Sequence, residues 1–443
     1  MYSKLKKGRD NILAVEVSMF DGNDLSNMQL SKLQKTVAYV YAMSPFYRKK
    51  LDAAGVRPEE IQALEDVTRL PFTTKEELRD NYPDKLMIAP ERDVVRLHAS
   101  SGTTGKKTVS FYTKKDIKDW GQMMARCFHM AGVGPQDRVH NTTGYGLWTA
   151  GVGFQLGIEA LGAMAVPVGP APMDQHIELM VDFGTTVLAS TSSAALLLAE
   201  EVQRRGLRDQ IKLRVAIIGS ERWSDKMRDK INNLLGIESF DIIGMTELYG
   251  PGIGLDCHYH QGIHYWADHL LFEIVDPITL QPCQPGVQGE LVVTTLSKEA
   301  MPLIRYRTRD ITRLIPGPCQ CNSPFPRIDR ILGRSDDMIK FRGVNMFPGQ
   351  VDDVLNKVEG VGCEYQIVIE RQQGKDIMTI RVEAEEAVDP AEFEKLGAKV
   401  QQLYKTRIGV TPMVEIVNHY ELPRSEKKVK RVFDQRNEEL ATR

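Results

Sequence analysis

His98–Thr113 reads HASSGTTGKKTVSFYT. Two glycines, a run of hydroxyls and two lysines lie between segments of β character. Such a composition suits a loop that holds phosphate. Glycine frees backbone N–H groups, and Ser100, Ser101, Thr103, Thr104, Thr108, Lys106 and Lys107 add hydroxyl donors and positive charge. It is not a Walker A loop, which needs four residues between its first Gly and its Gly-Lys pair; here only Thr103 and Thr104 separate Gly102 from Gly105. TVSFYT reads as a strand, so the loop joins two strands and has no helix dipole to offer an anion. A plain polar hairpin loop fits these residues equally well.

Outward from the loop, Val94 to about Gly219 alternates strand and helix, as in VVRLHA followed by KKDIKDWGQMMARCFHMAG. AMAVPV, TTVLAST, LRVAIIGS and SFDIIGM continue the series. The alternation predicts a largely parallel sheet covered on both faces. Residues 26–70 predict two helices from the three- and four-residue spacing of Leu30, Leu33, Val37, Val40 and Tyr41. After Gly250, HLLFEIVDP, GELVVTTL and DITRLI predict a β-rich subdomain. From GRSDDMIKFRG onward the order is β-α-β-β-α-β, a compact α+β unit. The expected fold class is α/β, with a large N-terminal domain (1–332) carrying mixed or parallel sheets and a small α+β C-terminal domain (333–443).

The 443 residues suffice for two or three domains, and 42% hydrophobic with 26% charged residues is ordinary for a globular protein. Lys+Arg 57 against Asp+Glu 59 gives no electrostatic case for nucleic acid. No run approaches a membrane span, and the basic N-terminal stretch lacks a signal-peptide apolar core. Six scattered cysteines are too sparse for a disulfide scaffold. A cytoplasmic small-molecule enzyme with reduced thiols is expected.

Four further clusters can carry chemistry. In DIIGMTELYGPG, Thr246 and Glu247 emerge where a buried strand ends, the end at which parallel sheets gather ligands. A hydroxyl beside a carboxylate suits a phosphate with its Mg²⁺, and suits a helix N-terminus as well. In RYRTRDITRL, Asp310 can accept both hydroxyls of a vicinal diol, or can be ion-paired to its neighbouring arginines. GRSDDMIKFRG sets an acidic pair among basic residues at the domain boundary, where a solvated linker reads the same. LPRSEKKVKRV, with Lys427, Lys428, Lys430 and Arg431, alone reads as a solvated charge run. Separately, Cys319 and Cys321 in PGPCQCNSP, with Cys257 and His264 in DCHYHQGIHYW, offer the N/S set that tetrahedral zinc prefers. A structural Zn²⁺ on Cys257, His264, Cys319 and Cys321 is expected, with His258 and His260 as substitutes; four incidental reduced residues are the plain alternative.

In order, SPFYRKKL, LPFTTKEELRDNYP, HASSGTTGKKTV, GYGLWTAGVGF, FGTTVL, GMTE, GPG, PLIRYRTRDI, GRSDDMI and RGVNMFP resemble segments of the phenylacetate–CoA ligase family of adenylate-forming enzymes, from about Leu25 to Asp434. The resemblance implies a two-step reaction. An aromatic carboxylate attacks the α-phosphate of ATP, releasing pyrophosphate, and the thiol of coenzyme A then displaces AMP. It assigns Ser101, Gly102, Thr103, Thr104, Gly105 and Lys106 to the β- and γ-phosphates. Gly219, Ser220 and Glu221 border the adenine and acyl sites, and Asp241 the adenine edge. Thr246 lies near the α-phosphate, Glu247 on Mg²⁺, Asp310 on the ribose and Arg334 near the nucleotide. Asp336 is the hinge of a mobile C-terminal domain, and Lys428 reaches the reacting carboxylate. Tyr145, Gly146 and Trp148 frame the aromatic acid, although such aromatics also serve as core. Ile243 replaces the usual adenine-stacking aromatic, Lys107 a proline, and Lys427 a glycine; alignment to Arg431 selects Lys428. Ser192 and Ser193 stand where relatives carry a Pro-Tyr pair, so the acyl pocket differs in size or polarity.

Expected partners are the aromatic acid, ATP and coenzyme A, with no nucleic acid and no membrane; a homodimer is left open. Two other readings stand beside the ligase. One is an adenylating enzyme that loads a carrier protein, although no carrier domain is evident after Asp434. The other is a non-catalytic nucleotide or acyl binder, prompted by Ile243 and Lys427 and opposed by Thr246, Glu247, Asp310 and Asp336.

Overall fold

The structure is a computed structural model that describes residues 22–100, 107–372, 375–424 and 430–436. The chain divides into two compact units. One comprises Met1–Ser190, Ile211–Ser220 and Phe240–Arg330; the other comprises Thr191–Gln210, Glu221–Ser239 and Ile331–Arg443.

The larger unit begins with helices α1 (Gly22–Met43) and α2 (Pro45–Ala54). Their buried Leu33, Val37, Val40, Tyr47 and Leu51 pack with Leu271, Leu296 and Ile304. A short α3 (Lys75–Asp80) starts at Thr74, whose hydroxyl accepts from the Glu77 N–H while the Glu77 carboxylate accepts from the Thr74 N–H. Strands β1 (Val94–Ala99) and β2 (Val109–Thr113) then pair antiparallel around the phosphate-type loop. Thr113 caps α4 (Lys114–Met130).

Among the described residues the main sheet has nine strands. β3 (Arg138–Asn141), β4 (Met164–Val166) and β5 (Val187–Thr191) form its parallel end. β6 (Val215–Gly219), β7 (Glu238–Met245), β8 (Gly250–Asp256) and β9 (Ile263–Tyr265) follow in the chain. β10 (Leu270–Val275), β11 (Gly289–Thr295) and β12 (Tyr306–Thr312) pair antiparallel in that order as a separate sheet. β13 (Leu314–Ile315) and β14 (Arg327–Ile328) return to the main sheet, whose order is β13-β14-β9-β8-β7-β6-β5-β3-β4. The change of texture at Gly250 is therefore not a sheet boundary, because the strands after it divide between two sheets. Helix α5 (Ala150–Leu161) packs on α4 and over β3, β4 and β8. Gly157 allows this approach, since a Cβ there would lie 2.4 Å from the Met124 Cβ. α6 (Met173–Asp182) completes this run of helices.

The smaller unit contains α7 (Ser192–Arg204) and α8 (Asp225–Leu235), then β15 (Gly333–Arg334) and the hairpin β16 (Ile339–Phe341) with β17 (Val344–Met346). It continues with α9 (Gln350–Leu355), β18 (Val361–Gln372), β19 (Lys375–Ala384), α10 (Phe393–Ile408), β20 (Met413–Val417) and β21 (Val432–Asp434). Its sheet order is β20-β19-β18-β21. Alternate residues of β18 and β19 (Tyr365, Ile367 and Ile369; Met378, Ile380 and Val382) are buried with Val354, Val400 and Tyr404. β21 comes from the charged C-terminal run, which its sequence did not announce. No described helix is long and apolar enough to cross a membrane.

Candidate functional site

Ser101–Lys106 lie outside the described residues, but both feet of their loop are defined. The Ser100 N–H donates to the Thr108 carbonyl at 2.9 Å, and the two side-chain hydroxyls are 2.6 Å apart. Antiparallel pairing of β1 with β2 sets this closure. From it, the Thr108 hydroxyl donates to the Glu247 carboxylate at 3.2 Å. Two motifs far apart in the chain thus meet.

Thr246 and Glu247 sit in the turn that leaves β7, both buried. The Thr246 hydroxyl shares a hydrogen bond of 3.3 Å with Thr149, at the start of α5. The Lys75 ammonium is 3.2 Å from the Glu247 carboxylate. Lys75 and Thr149 were not among the residues singled out in the sequence, although both lie inside family-like segments. A hydroxyl, a carboxylate and a cation in one partly buried patch can bind an anion with a divalent metal, which takes one carboxylate plus phosphate oxygens. Glu247 fits that role through its two carboxylate oxygens, with the Thr108 hydroxyl and the Lys75 ammonium beside them.

The loop before α5 carries Tyr145, Gly146 and Trp148. Tyr145 is 39% exposed, so it is not core, and its phenol accepts from Asn141 at 3.1 Å. Gly146 has φ of 119°, a conformation that side chains disfavour. Leu147 ties this loop to β1, its carbonyl accepting from the Ala99 N–H at 2.8 Å and meeting the His98 Nδ1 at 3.2 Å. Burial lowers the pKa of His98. Gly151 closes the turn, because a Cβ there would lie 2.7 Å from the Gly144 carbonyl.

The remaining nucleotide candidates are distributed. Gly219 ends β6 where a Cβ would come within 2.4 Å of the Ile242 carbonyl, and Ser220 follows with φ of 70°. Asp241 on β7 donates its N–H to Asp256 at 2.6 Å, and Ile243 is buried. Asp310 lies half-buried on β12. Nearby on the same stretch, Arg305 pairs with Glu273 at 2.9 Å and Arg307 with Glu290 at 2.7 Å. In the smaller unit, the Ser192 and Ser193 hydroxyls donate to the Glu221 carboxylate. There too, Arg334 forks onto Asp336 at 2.8 Å for each bond. Lys427 and Lys428 lie outside the described residues.

The family models match the same order. "AMP-binding enzyme" covers residues 25–297 and "AMP-binding enzyme C-terminal domain" covers 343–436. A phenylacetate–coenzyme A ligase of Escherichia coli (strain K12) is 42% identical over 421 residues, 94% of this chain and 96% of its own. The chain belongs to the phenylacetate–CoA ligase family. A second member, from Thermus thermophilus, is 41% identical over 439 residues, 95% of this chain and 99% of its own. Among solved structures, a 2-hydroxyisobutyryl-CoA ligase in complex with its acyl-AMP has a TM-score of 0.87 at 27% identity, covering 96% of this chain and 92% of that one.

One further cluster in this family member stands apart from the nucleotide candidates. Cys257, His264, Cys319 and Cys321 present ligand atoms all within 4.8 Å of one another. The β8–β9 and β9–β14 pairings bring them together: Cys257 follows β8, His264 is central in β9, and the two cysteines lie between β13 and β14. Cys257 and Cys319 sulfurs are 3.6 Å apart, and Cys321 Sγ is 3.3 Å from His264 Nε2. The Phe325 carbonyl takes His264 Nδ1 at 2.8 Å, which leaves Nε2 toward the thiols. Bonds of about 2.3 Å to a tetrahedral ion put its sulfurs about 3.7 Å apart, so the set fits zinc. His260 is turned onto Asp256 at 2.8 Å and His258 is exposed; neither belongs to the cluster.

Proposed function

We propose that the protein is an AMP-forming acid–thiol ligase that joins an aromatic carboxylate of the phenylacetate type to coenzyme A. The carrying observation is the meeting of Thr108, at the foot of the glycine-rich loop, with Glu247 beyond β7. The relatives above, named as phenylacetate–coenzyme A ligases, supply the chemistry.

The difficulty of the first step is electrostatic, because an anionic carboxylate must approach an anionic phosphate. Our assignment gives Ser101–Lys106 the leaving pyrophosphate, and Thr246 a hydrogen bond to the α-phosphate. Magnesium, held on Glu247, would offset charge on the phosphate oxygens. Asp310 is assigned the ribose, with Asp241, Gly219, Ser220, Glu221 and Arg334 bordering the nucleotide. Tyr145, Gly146 and Trp148 are assigned the aromatic acid, and Lys428 the carboxylate during attack. We place the domain boundary at residues 332–333, with Asp336 as hinge, and a structural zinc on Cys257, His264, Cys319 and Cys321.

A panel of aromatic acids tests the reading. Acid-dependent pyrophosphate release, followed by AMP release only when coenzyme A is added, is the expected result. Turnover indifferent to coenzyme A would favour the carrier-loading alternative, and silence across the panel would favour a binder.

A further inference from the structure

Lys298 follows β11, and its side chain is 3% exposed. Its ammonium donates to the Ser110 hydroxyl at 2.6 Å and to the Leu248 carbonyl. It also lies 4.3 Å from the centre of the Tyr112 ring and 5.1 Å from that of Tyr249. Among the described residues no carboxylate is within ion-pair distance of it. Burial pushes its pKa down to about 7, while the more distant Asp116 and Glu247 hold it up.

An ammonium buried without a direct anion loses solvation that a methionine of similar length would not lose. Packing alone therefore does not account for it. What the amine does is fix a turn. The Leu248 carbonyl accepts from Lys298 itself, and the Glu247 carbonyl accepts at 3.5 Å from Ser110, the same hydroxyl that Lys298 holds. The Tyr249 carbonyl accepts from the Tyr112 phenol at 2.8 Å, beneath the same ammonium, and the Thr246 carbonyl lies 3.5 Å from that phenol oxygen. The carbonyls of Glu247, Leu248 and Tyr249 thus hang on β2 side chains and Lys298. The loop bearing Lys298 is itself pinned, because the buried Asp116 carboxylate accepts from the Glu299 and Ala300 N–H groups at 2.8 and 2.9 Å.

We infer that Lys298 is a positioning residue for adenylation, locking the Thr246–Glu247 turn to the strand that leaves the phosphate loop. The inference rests on the ligase reading for the role of that turn. Lys298→Met keeps the volume and removes the charge and donors. Pyrophosphate release should fall about 100-fold, the scale of a small misplacement of the reacting groups. Thioester formation from supplied acyl-adenylate should change less than about threefold. Lys298→Arg should recover part of the loss, and Ser110→Ala, which removes one arm, should reproduce it in milder form. A Met variant within threefold of wild type in pyrophosphate release, or equal losses in both steps, would overturn the inference. Calorimetry of ATP with magnesium separates the two readings. Should wild type bind ATP yet release no pyrophosphate with any acid, the ligase reading fails. In that case weaker binding by Lys298→Met still upholds the turn-locking role, whereas equal binding refutes it.

Discussion

His140 and His176 show how a single buried contact sets a response to pH. His140 on β3 is fully buried, and its Nε2 is 2.9 Å from His176 Nδ1 on α6. Burial, and secondarily the neighbouring imidazole, push its pKa down to about 3. Unfolded, it would titrate near 6.5. Between those values the unfolded chain binds the extra proton, so stability rises with pH and is lost as pH falls from 6.5 toward 3. On the order of 3 kcal/mol should disappear between pH 7 and 4 from this group. Urea midpoints across that range should fall, and His140→Gln should flatten the curve; an unchanged slope in the variant would remove His140 as the cause. Neither histidine was legible as a pair, since the two meet only once β3 and α6 are placed. The place of Thr246 and Glu247 at the end of a buried strand was legible, because the apolar run that makes the strand also marks where it stops. Lys75 and Lys298 were not, because a lysine in a polar stretch reads as solvated until the fold covers it.

Among the elements, β8, β9 and β14 carry an argument that cysteine spacing alone could not. Cys-x-Cys is a closer spacing than usual in zinc sites, and Cys257 is distant from it in the chain. The antiparallel register, with His264 opposite both Leu255 and Arg327, closes the set. An ion there would add a tie between the β13–β14 loop and the main sheet, beside the Arg327 bonds to the Gly317 and Pro318 carbonyls and the buried Phe325 ring against Trp266. Protein prepared without chelator should carry about one zinc per chain, as expected for a closed four-ligand structural site. Cys319→Ser should carry much less and melt about 5 °C lower. Cys283→Ser, outside the cluster, should keep its zinc. Metal-free wild type with the same melting temperature would dismiss the site. The same sheets mark where pattern reading stopped short. HLLFEIVDP, GELVVTTL and DITRLI were read as strands from their turns, whereas β8, β9 and β14 were not, and the division between two sheets depends on pairings that no local pattern encodes. β21 was hidden because its three residues follow a run of basic side chains, and only parallel pairing with β18 makes them a strand.

For the whole molecule, the ligase reading runs two chemically different steps at one nucleotide site, and we propose that the C-terminal domain changes its pose between them. Asp336 is the proposed pivot, and its carboxylate is held in a fork by Arg334 on β15. Proline at this position fixes φ and disfavours helical backbone at Ser335, so rotation about the segment should stop. Asp336→Pro should therefore separate the half-reactions: pyrophosphate release or thioester formation survives within about tenfold, while the coupled turnover falls about 100-fold. Asp336→Asn controls for loss of the Arg334 pair, because it weakens the fork without restricting φ. Lys428→Ala gives the complementary pattern, slowing acid-dependent pyrophosphate release strongly while thioester formation from supplied acyl-adenylate persists. Equal losses in both half-reactions for Lys428→Ala would remove that lysine from the first step. Full coupled turnover in Asp336→Pro would move the pivot elsewhere, and would leave Arg334–Asp336 as an ordinary surface pair.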